Sequence, residues 1–275
     1  MKQGIIKNKG VIHYGYVIVF CCCLIMGVNV GLVMSCAGIF YQPVSTELGV
    51  SVGKLGVYMS LNYLLSSLAL SVAGRMMEKY SARLLLSVSS VVMGVCLVVM
   101  SFFNSVWQFY VAGSVLGVTL AFLLYLSFPI LINRWFKSRV GFFIGICSAA
   151  SGIGGVLFNP LGAYLITEYG WRMTYSIFGA IILLIISPVI GLMLRDYPED
   201  KNVQSYGETV IKENIKASEG VGYTQALRMP EFYSLLLFAF LMISVSTLNL
   251  FIPDYVTGLR FSLEEAAFVA SAVMI

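Results

Sequence analysis

The sequence predicts an all-α, polytopic bundle of membrane-spanning helices, and three observations predict it. Hydrophobic residues fill 59% of the 275 positions and charged residues only 11%, with a mean hydropathy of +0.90. A soluble domain carries about twice that share of charge to keep its surface wet. Uncharged apolar stretches recur at close to the ~20 residues that cross lipid hydrocarbon. Cations collect in alternate turns between those stretches.

The first stretch follows Lys2, Lys7 and Lys9. It is far longer than the roughly 7–15 apolar residues of a signal-peptide core, so it reads as a retained span. Spans are expected at 14–40, 55–72, 84–102, 107–132, 140–166, 173–194 and 232–256. An eighth begins near Ser262, which stands three residues before Glu265 in a capping-box spacing. The sequence stops at Ile275 inside that span, and the native gene product is expected to be longer. The mixed-charge stretch 195–228 is the one long polar segment. It reads as a cytoplasmic linker with a short helix near 209–217. The domain division is then 1–194 for a six-helix bundle, 195–228 for the linker and 229–275 for the start of a second bundle.

Charge placement sets the orientation. With the N-terminus inside, only Lys54, Arg172 and Arg260 of the 17 lysines and arginines fall outside, as the positive-inside rule requires. These charges punctuate apolar runs and form no nucleic-acid patch. The six cysteines, Cys21, Cys22, Cys23, Cys36, Cys96 and Cys147, lie in apolar stretches without metal-site spacing. They read as small apolar filling, with lipidation of the 21–23 run as the alternative. His13, the single histidine, reads as an interfacial anchor, with a pH switch as the alternative. No nucleophile–base pair, metal cluster or phosphate loop is visible, so no enzyme chemistry, metal or cofactor is expected.

Small residues recur four apart: Gly27 and Gly31, Gly113 and Gly117, Gly141 and Gly145, Ser148 and Gly152. Helices in lipid associate through close backbone approach, so these are expected contact faces.

Two turns carry motifs. Between the second and third spans stand Gly74-Arg75-Met76-Met77-Glu78-Lys79-Tyr80-Ser81-Ala82-Arg83. Gly74 would let two helices meet, Glu78 and Lys79 sit beside the positive end of the next helix, and Arg83 would be the local partner of Glu78. Between the fourth and fifth spans stand Asn133-Arg134-Trp135-Phe136-Lys137-Ser138-Arg139-Val140-Gly141, with Tyr169-Gly170-Trp171-Arg172 after a Gly-rich fifth span. The first motif resembles the loop signature of the major facilitator superfamily, with Glu78 in place of the usual Asp, Ser81 of the second glycine and Leu84 of a base. The second resembles the monocarboxylate and oxalate/formate branch of that superfamily. The resemblance implies a twelve-helix carrier whose six-helix halves each hold inverted three-helix repeats. It also implies alternating access and a small organic anion, a monocarboxylate or dicarboxylate, as substrate. Gly74, Glu78, Lys79, Arg83, Arg134 and Arg139 would then be conformational gating residues. Glu168 and Arg172 echo Glu78 and Arg83 on the opposite face, as inverted repeats do. Gly113 stands where drug exporters of the superfamily show an arginine, and Asn159-Pro160 where they show Gly-Pro. Drug efflux is therefore less expected. The first span also lacks the lysine of the animal monocarboxylate carriers.

No Asp, Glu, Lys or Arg falls mid-span, although intramembrane charges are where function usually sits. In the family this sequence resembles, the cations that bind substrate lie in helices eight and eleven. The polar and aromatic candidates for substrate binding are Asn29, Asn62, Tyr63, Tyr125, Phe158, Asn159 and Asn249. Amides and phenols can orient a carboxylate inside an aromatic wall; the alternative is a bond to a neighbouring helix. Tyr125 and Asn29 lead, because the first and fourth helices line the pathway in that fold. Expected partners are a small-molecule carboxylate and the lipid bilayer of the plasma membrane, and no nucleic acid. The rival readings are a same-fold carrier of a sugar, nucleoside or drug, and a non-transporting receptor or scaffold.

Overall fold

Residues 13–201, 203–207, 225 and 227–272 are described by a computed structural model, and helices carry nearly all of them. α1 spans Gly15–Leu48, α2 Val52–Lys79, α3 Ala82–Met100 and α4 Val106–Trp135. The helical run Val140–Met193 is 54 residues long. Straight, it would measure about 81 Å, far more than the ~30 Å hydrocarbon layer. It breaks at Gly170, whose φ of 78° and ψ of 161° suit only a residue without Cβ. We therefore divide it into α5, 140–169, and α6, 171–193. The two arms return to one end: Phe143, near the start of α5, lies 6.3 Å between ring centroids from Tyr206, beyond the end of α6. α7 spans Pro230–Gly258 and α8 Leu263–Ala272. The helix expected near 209–217 lies outside the described residues.

Local sequence sets the helix ends. Ser51 accepts from the Lys54 N–H at 3.3 Å and Ser81 from Leu84 at 3.4 Å, each relieving an orphan donor of the first turn. Ser105 and Gln108 form a capping box at the start of α4. The Ser262–Glu265 box also forms, with the Ser262 N–H donating to the Glu265 carboxylate at 2.8 Å and the Glu265 N–H donating to Ser262 Oγ at 3.2 Å. α1 runs eight residues past the expected limit of 40, because its last turns are helical but polar. Wider π turns occupy Ile25–Ser35 in α1, Ala121–Leu126 in α4 and Ile182–Ile186 in α6.

Glycines decide which helices touch. A methyl on Gly27 would stand 3.1 Å from the Ala150 carbonyl, and one on Gly31 3.2 Å from the Gly154 backbone, while one on Gly154 would overlap the Gly27 carbonyl. α1 and α5 therefore cross at backbone contact. α2 and α4 do the same where Gly113 and Gly117 meet the carbonyls of Tyr58 and Asn62, and Ser66 Oγ donates to the Gly117 carbonyl at 2.7 Å. Gly179 of α6 meets Gly94 and Val98 of α3. Three expectations need correction here. Gly74, Gly141 and Gly145 have no atom within 4 Å of where a Cβ would stand, so among the described residues they are not close-contact points.

α7 behaves in two ways. No residue of Pro230–Leu248 is buried. After the 3₁₀ turn Asn249–Phe251, the helix docks on the bundle: a methyl on Gly38 of α1 would stand 2.5 Å from the Leu250 carbonyl and 3.2 Å from Pro253. Tyr41 and Phe251 rings lie 5.8 Å apart. α8 packs its small face, Ala266, Ala267, Ala270 and Ser271, against the helical run 140–181.

Candidate transport pathway and its gates

The buried polar side chains of the described residues are Asn, Ser and Thr, so what the interior offers a solute is hydrogen bonding and aromatic surface. Tyr125 of α4 is 42% exposed. Tyr63 of α2 is partly buried, and α2 packs against the Ala121–Leu126 turn that carries Tyr125. The segments that carry these two predicted residues are brought together. Phe158 of α5 lies over α1, with its ring 3.5 Å from where a Gly31 methyl would stand. Asn159 of α5 is buried. Asn249 stands in the 3₁₀ turn of α7, and its side chain lies outside the described residues.

Asn29 faces other helices instead. It is fully buried, and its Nδ2 donates to Ser90 Oγ of α3 at 2.9 Å, which is 2.9 Å from Ser187 Oγ of α6. This Asn–Ser–Ser chain ties three helices together, as interhelical polar bonds do in lipid.

Asn62 has a different environment. Its carboxamide is fully buried in the α2–α4 seam, and neither Nδ2 nor Oδ1 has a hydrogen-bond partner. An unsatisfied buried polar group costs about 1–3 kcal/mol. Asn62→Leu is therefore expected to raise thermal stability by about 1–2 kcal/mol. Melting followed by tryptophan fluorescence checks it.

The helices are tied together by different chemistry at the two ends of the bundle. At the Arg172 end, Arg172 Nε donates to Glu47 Oε1 at 3.0 Å, its Nη1 to the Ser101 carbonyl at 2.8 Å and its Nη2 to Asn104 Oδ1 at 2.8 Å. Trp171 Nε1 donates to Glu47 Oε2 at 2.5 Å, and the guanidinium lies 4.3 Å from the Trp171 ring centre. This joins the end of α1, the α3–α4 turn and the start of α6. Glu47 and Arg172 side chains remain 49% and 35% exposed, so the ion pair itself contributes under ~1 kcal/mol. Arg172→Gln is expected to lower stability by about 1–2 kcal/mol through the lost carbonyl and amide bonds. The deficit should shrink only slightly in about 1 M salt, where exposed pairs are screened; parallel melts at low and high salt measure it.

At the Arg83 end, the expected Glu78–Arg83 pair does not form. Glu78 is exposed, and among the described residues the one ion pair is Glu47–Arg172. Arg83 reaches across to α6, where its Nε donates to the Gly191 carbonyl at 2.5 Å and its N–H to Asp196 Oδ1 at 2.7 Å. Carbonyls at a helix end attract a cation, so α6 wins over the local acid. Arg134 Nη2 donates to the Met77 carbonyl at the end of α2 at 2.9 Å, and its guanidinium lies 4.6 Å from the Tyr197 ring centre. Lys79 Nζ lies 5.6 Å from the Tyr80 ring centre. Arg139, with φ of 56°, sits at the start of α5.

The segment after α6 fastens to the same end. Trp135 Nε1 donates to the Arg195 carbonyl at 3.1 Å and Tyr14 Oη to the Met193 carbonyl at 2.7 Å. Phe136 and Tyr206 form a parallel bridge. His13 accepts the Gly15 N–H on Nδ1 at 3.1 Å and bonds the Gln204 carbonyl through Nε2 at 2.9 Å. It therefore anchors the start of α1. Cys21 and Cys22 are fully buried, which removes the lipidation reading for those two. Sequence reasoning missed Glu47 and Asp196. Glu47 had a readable signal, as the one acid between the first two apolar stretches; Asp196 had none.

α7 and α8 touch the bundle at the Arg172 end, through Gly38, Tyr41 and the small face of α8, while Pro230–Leu248 buries nothing. The described contacts of α7 and α8 with the bundle thus lie at the Arg172 end.

The profile of the Major Facilitator Superfamily matches residues 19–275. The chain belongs to that superfamily. Among Major Facilitator relatives it is 26% identical over 224 residues to the multidrug resistance protein MdtG of Dickeya zeae, covering 79% of this chain and 51% of that one. It is 25% identical over 207 residues to monocarboxylate transporter 4 of Gallus gallus, covering 74% of this chain and 42% of that one. It spans about half the length of these curated relatives. The fold matches the crystal structure of a bacterial homolog of the human lysosomal transporter Spinster, in an inward-facing and unoccupied conformation. The TM-score there is 0.69 at 18% identity, covering 96% of this chain and 60% of that one. The protein is a multi-pass membrane protein of a transporter superfamily.

Proposed function

We propose that this chain belongs to a secondary transporter that moves a small organic anion, a monocarboxylate or dicarboxylate, across the plasma membrane by alternating access. In this reading residues 1–194 form the first bundle, 195–228 a cytoplasmic linker and 229–275 the start of the second bundle. The N-terminus and the Arg83 end face the cytoplasm. Tyr63 and Tyr125 donate phenol hydrogens to the carboxylate and Phe158 supplies apolar wall. The observation that carries the reading is the packing of the helix bearing Tyr63 against the turn bearing the half-exposed Tyr125; in this reading the Arg172 end is the closed one and the Arg83 end the open one. Gly74, Glu78, Lys79, Arg83, Arg134 and Arg139 act at the cytoplasmic gate, with Arg83 and Arg134 holding helix-end carbonyls that must part when that end closes. The monocarboxylate relative supports the cargo class.

A second reading, export of a drug-like solute, is supported by the multidrug-resistance relative. Proteoliposomes holding the full-length gene product separate the two. Counterflow of labelled formate, lactate or oxalate that saturates and weakens in Tyr125→Phe supports the anion reading. Saturable movement of a cationic dye with no carboxylate flux supports the second. A protein that moves neither is a receptor or scaffold, and both readings fall.

A further inference from the structure

The chain beyond α6 lies across the turn between α4 and α5. There the Tyr206 N–H donates to the Trp135 carbonyl at 2.9 Å and the Lys137 N–H to the Tyr206 carbonyl at 2.8 Å. Ser205 Oγ donates to the Arg134 carbonyl at 3.4 Å. The Tyr206 ring stands among those of Phe136, His13 and Tyr16, with centroids 5.5, 5.6 and 5.9 Å away. Gly207 completes this strap, 203–207: its φ is 85°, and a methyl there would overlap Ser138 Cβ. A residue without Cβ is what fits such a turn.

Arg134 is held at both of its ends. Its backbone carbonyl is bonded to the strap, and its guanidinium lies 4.6 Å from the ring centre of Tyr197, in the same returning chain. A long side chain loses rotamer freedom when it is fixed, and pre-placement by its neighbours lowers that cost. Held this way, Nη2 donates to the Met77 carbonyl at 2.9 Å, where the end of α2 favours a cation.

We propose that the strap 203–207 is a positioning element that holds Arg134 on the Met77 carbonyl, with Gly207 as its lock. This part of the linker then moves with the first bundle and ties α4 to the end of α2. That Arg134 also acts at a gate rests on the function proposed above.

The test treats the full-length protein in membrane vesicles with phenylglyoxal, which modifies guanidinium groups, and reads each arginine by peptide mass spectrometry. Gly207→Val should undock the strap. Tyr206→Pro, which removes the N–H donated to Trp135, is the second variant. In both, Arg134 should react about tenfold faster than in the wild type, the factor that loss of one charge-assisted hydrogen bond brings. Arg172, at the other end, should react at the wild-type rate. Wild-type protection of Arg134 in both variants would overturn the proposal, and so would equal acceleration of Arg172 in both, the mark of general loosening. Counterflow of labelled lactate reads the gate separately. Arg134 released with flux unchanged upholds the positioning role and removes the gating one. A protein that moves no carboxylate overturns the reading of function, while Arg134 reactivity still decides the strap.

Discussion

Gly154→Leu is expected to unfold the bundle or leave it severely destabilised, because the α1–α5 crossing is made at backbone contact. A single methyl at Gly154 already overlaps the Gly27 carbonyl, and a carbonyl in a helix cannot rotate aside as a side chain can. Overpacking a core costs about 1–3 kcal/mol, and here the neighbour is backbone, so the upper end applies. For a domain of this size about 3 kcal/mol lowers the melting midpoint by roughly 6–12 °C. Gly145→Leu on the same helix is the control, since nothing lies within 4 Å of its Cβ position. It should melt like the wild type. Size-exclusion profiles and melts of the two purified variants test the pair.

Gly38→Trp should leave the protein folded and abolish transport. Gly38 is where α1 receives the Leu250 carbonyl and Pro253 of α7, and an indole there holds the Arg172 end apart. Carriers that alternate need both closures, so a variant with one closure blocked stalls on one side. Net flux in proteoliposomes should fall to background, while the melting midpoint stays near that of the wild type, because the Glu47–Arg172–Trp171 ties and the α1–α5 crossing are untouched. Retained flux would show that this contact is not a gate.

Much of the fold was legible because the bilayer fixes helix length and the glycines fix which helices meet. Hydropathy, however, measures the lipid-covered part of a helix, so it ended the first span at 40 although α1 continues through Ser45, Thr46 and Glu47 to Leu48. Glycine spacing marked Gly27, Gly31, Gly113 and Gly117 as contact points, yet gave Gly141 and Gly145 the same pattern with no neighbour to meet. Spacing says which face a residue occupies and cannot say what stands opposite. The same limit explains Arg83. Sequence nearness favours Glu78, whereas the folded chain offers the α6 carbonyl of Gly191 and the Asp196 carboxylate. Asn29 follows suit: an amide mid-span signals a polar need, and only the packing shows that Ser90 and Ser187 meet it. Tyr63 and Tyr125 were legible as aromatic polar residues in the second and fourth spans, but the packing of those two helices required the fold.

Side-specific labelling of a cysteine at position 125 puts the whole account to its most direct test. With the six native cysteines replaced, Tyr125→Cys should react with a membrane-impermeant maleimide from the side that also labels Lys137→Cys. It should be shielded from the side that labels Asn104→Cys, and a bound carboxylate should slow the reaction. Labelling from the Asn104 side alone, or from neither side, would contradict a bundle sealed by Glu47 and Arg172 and open beside Arg83.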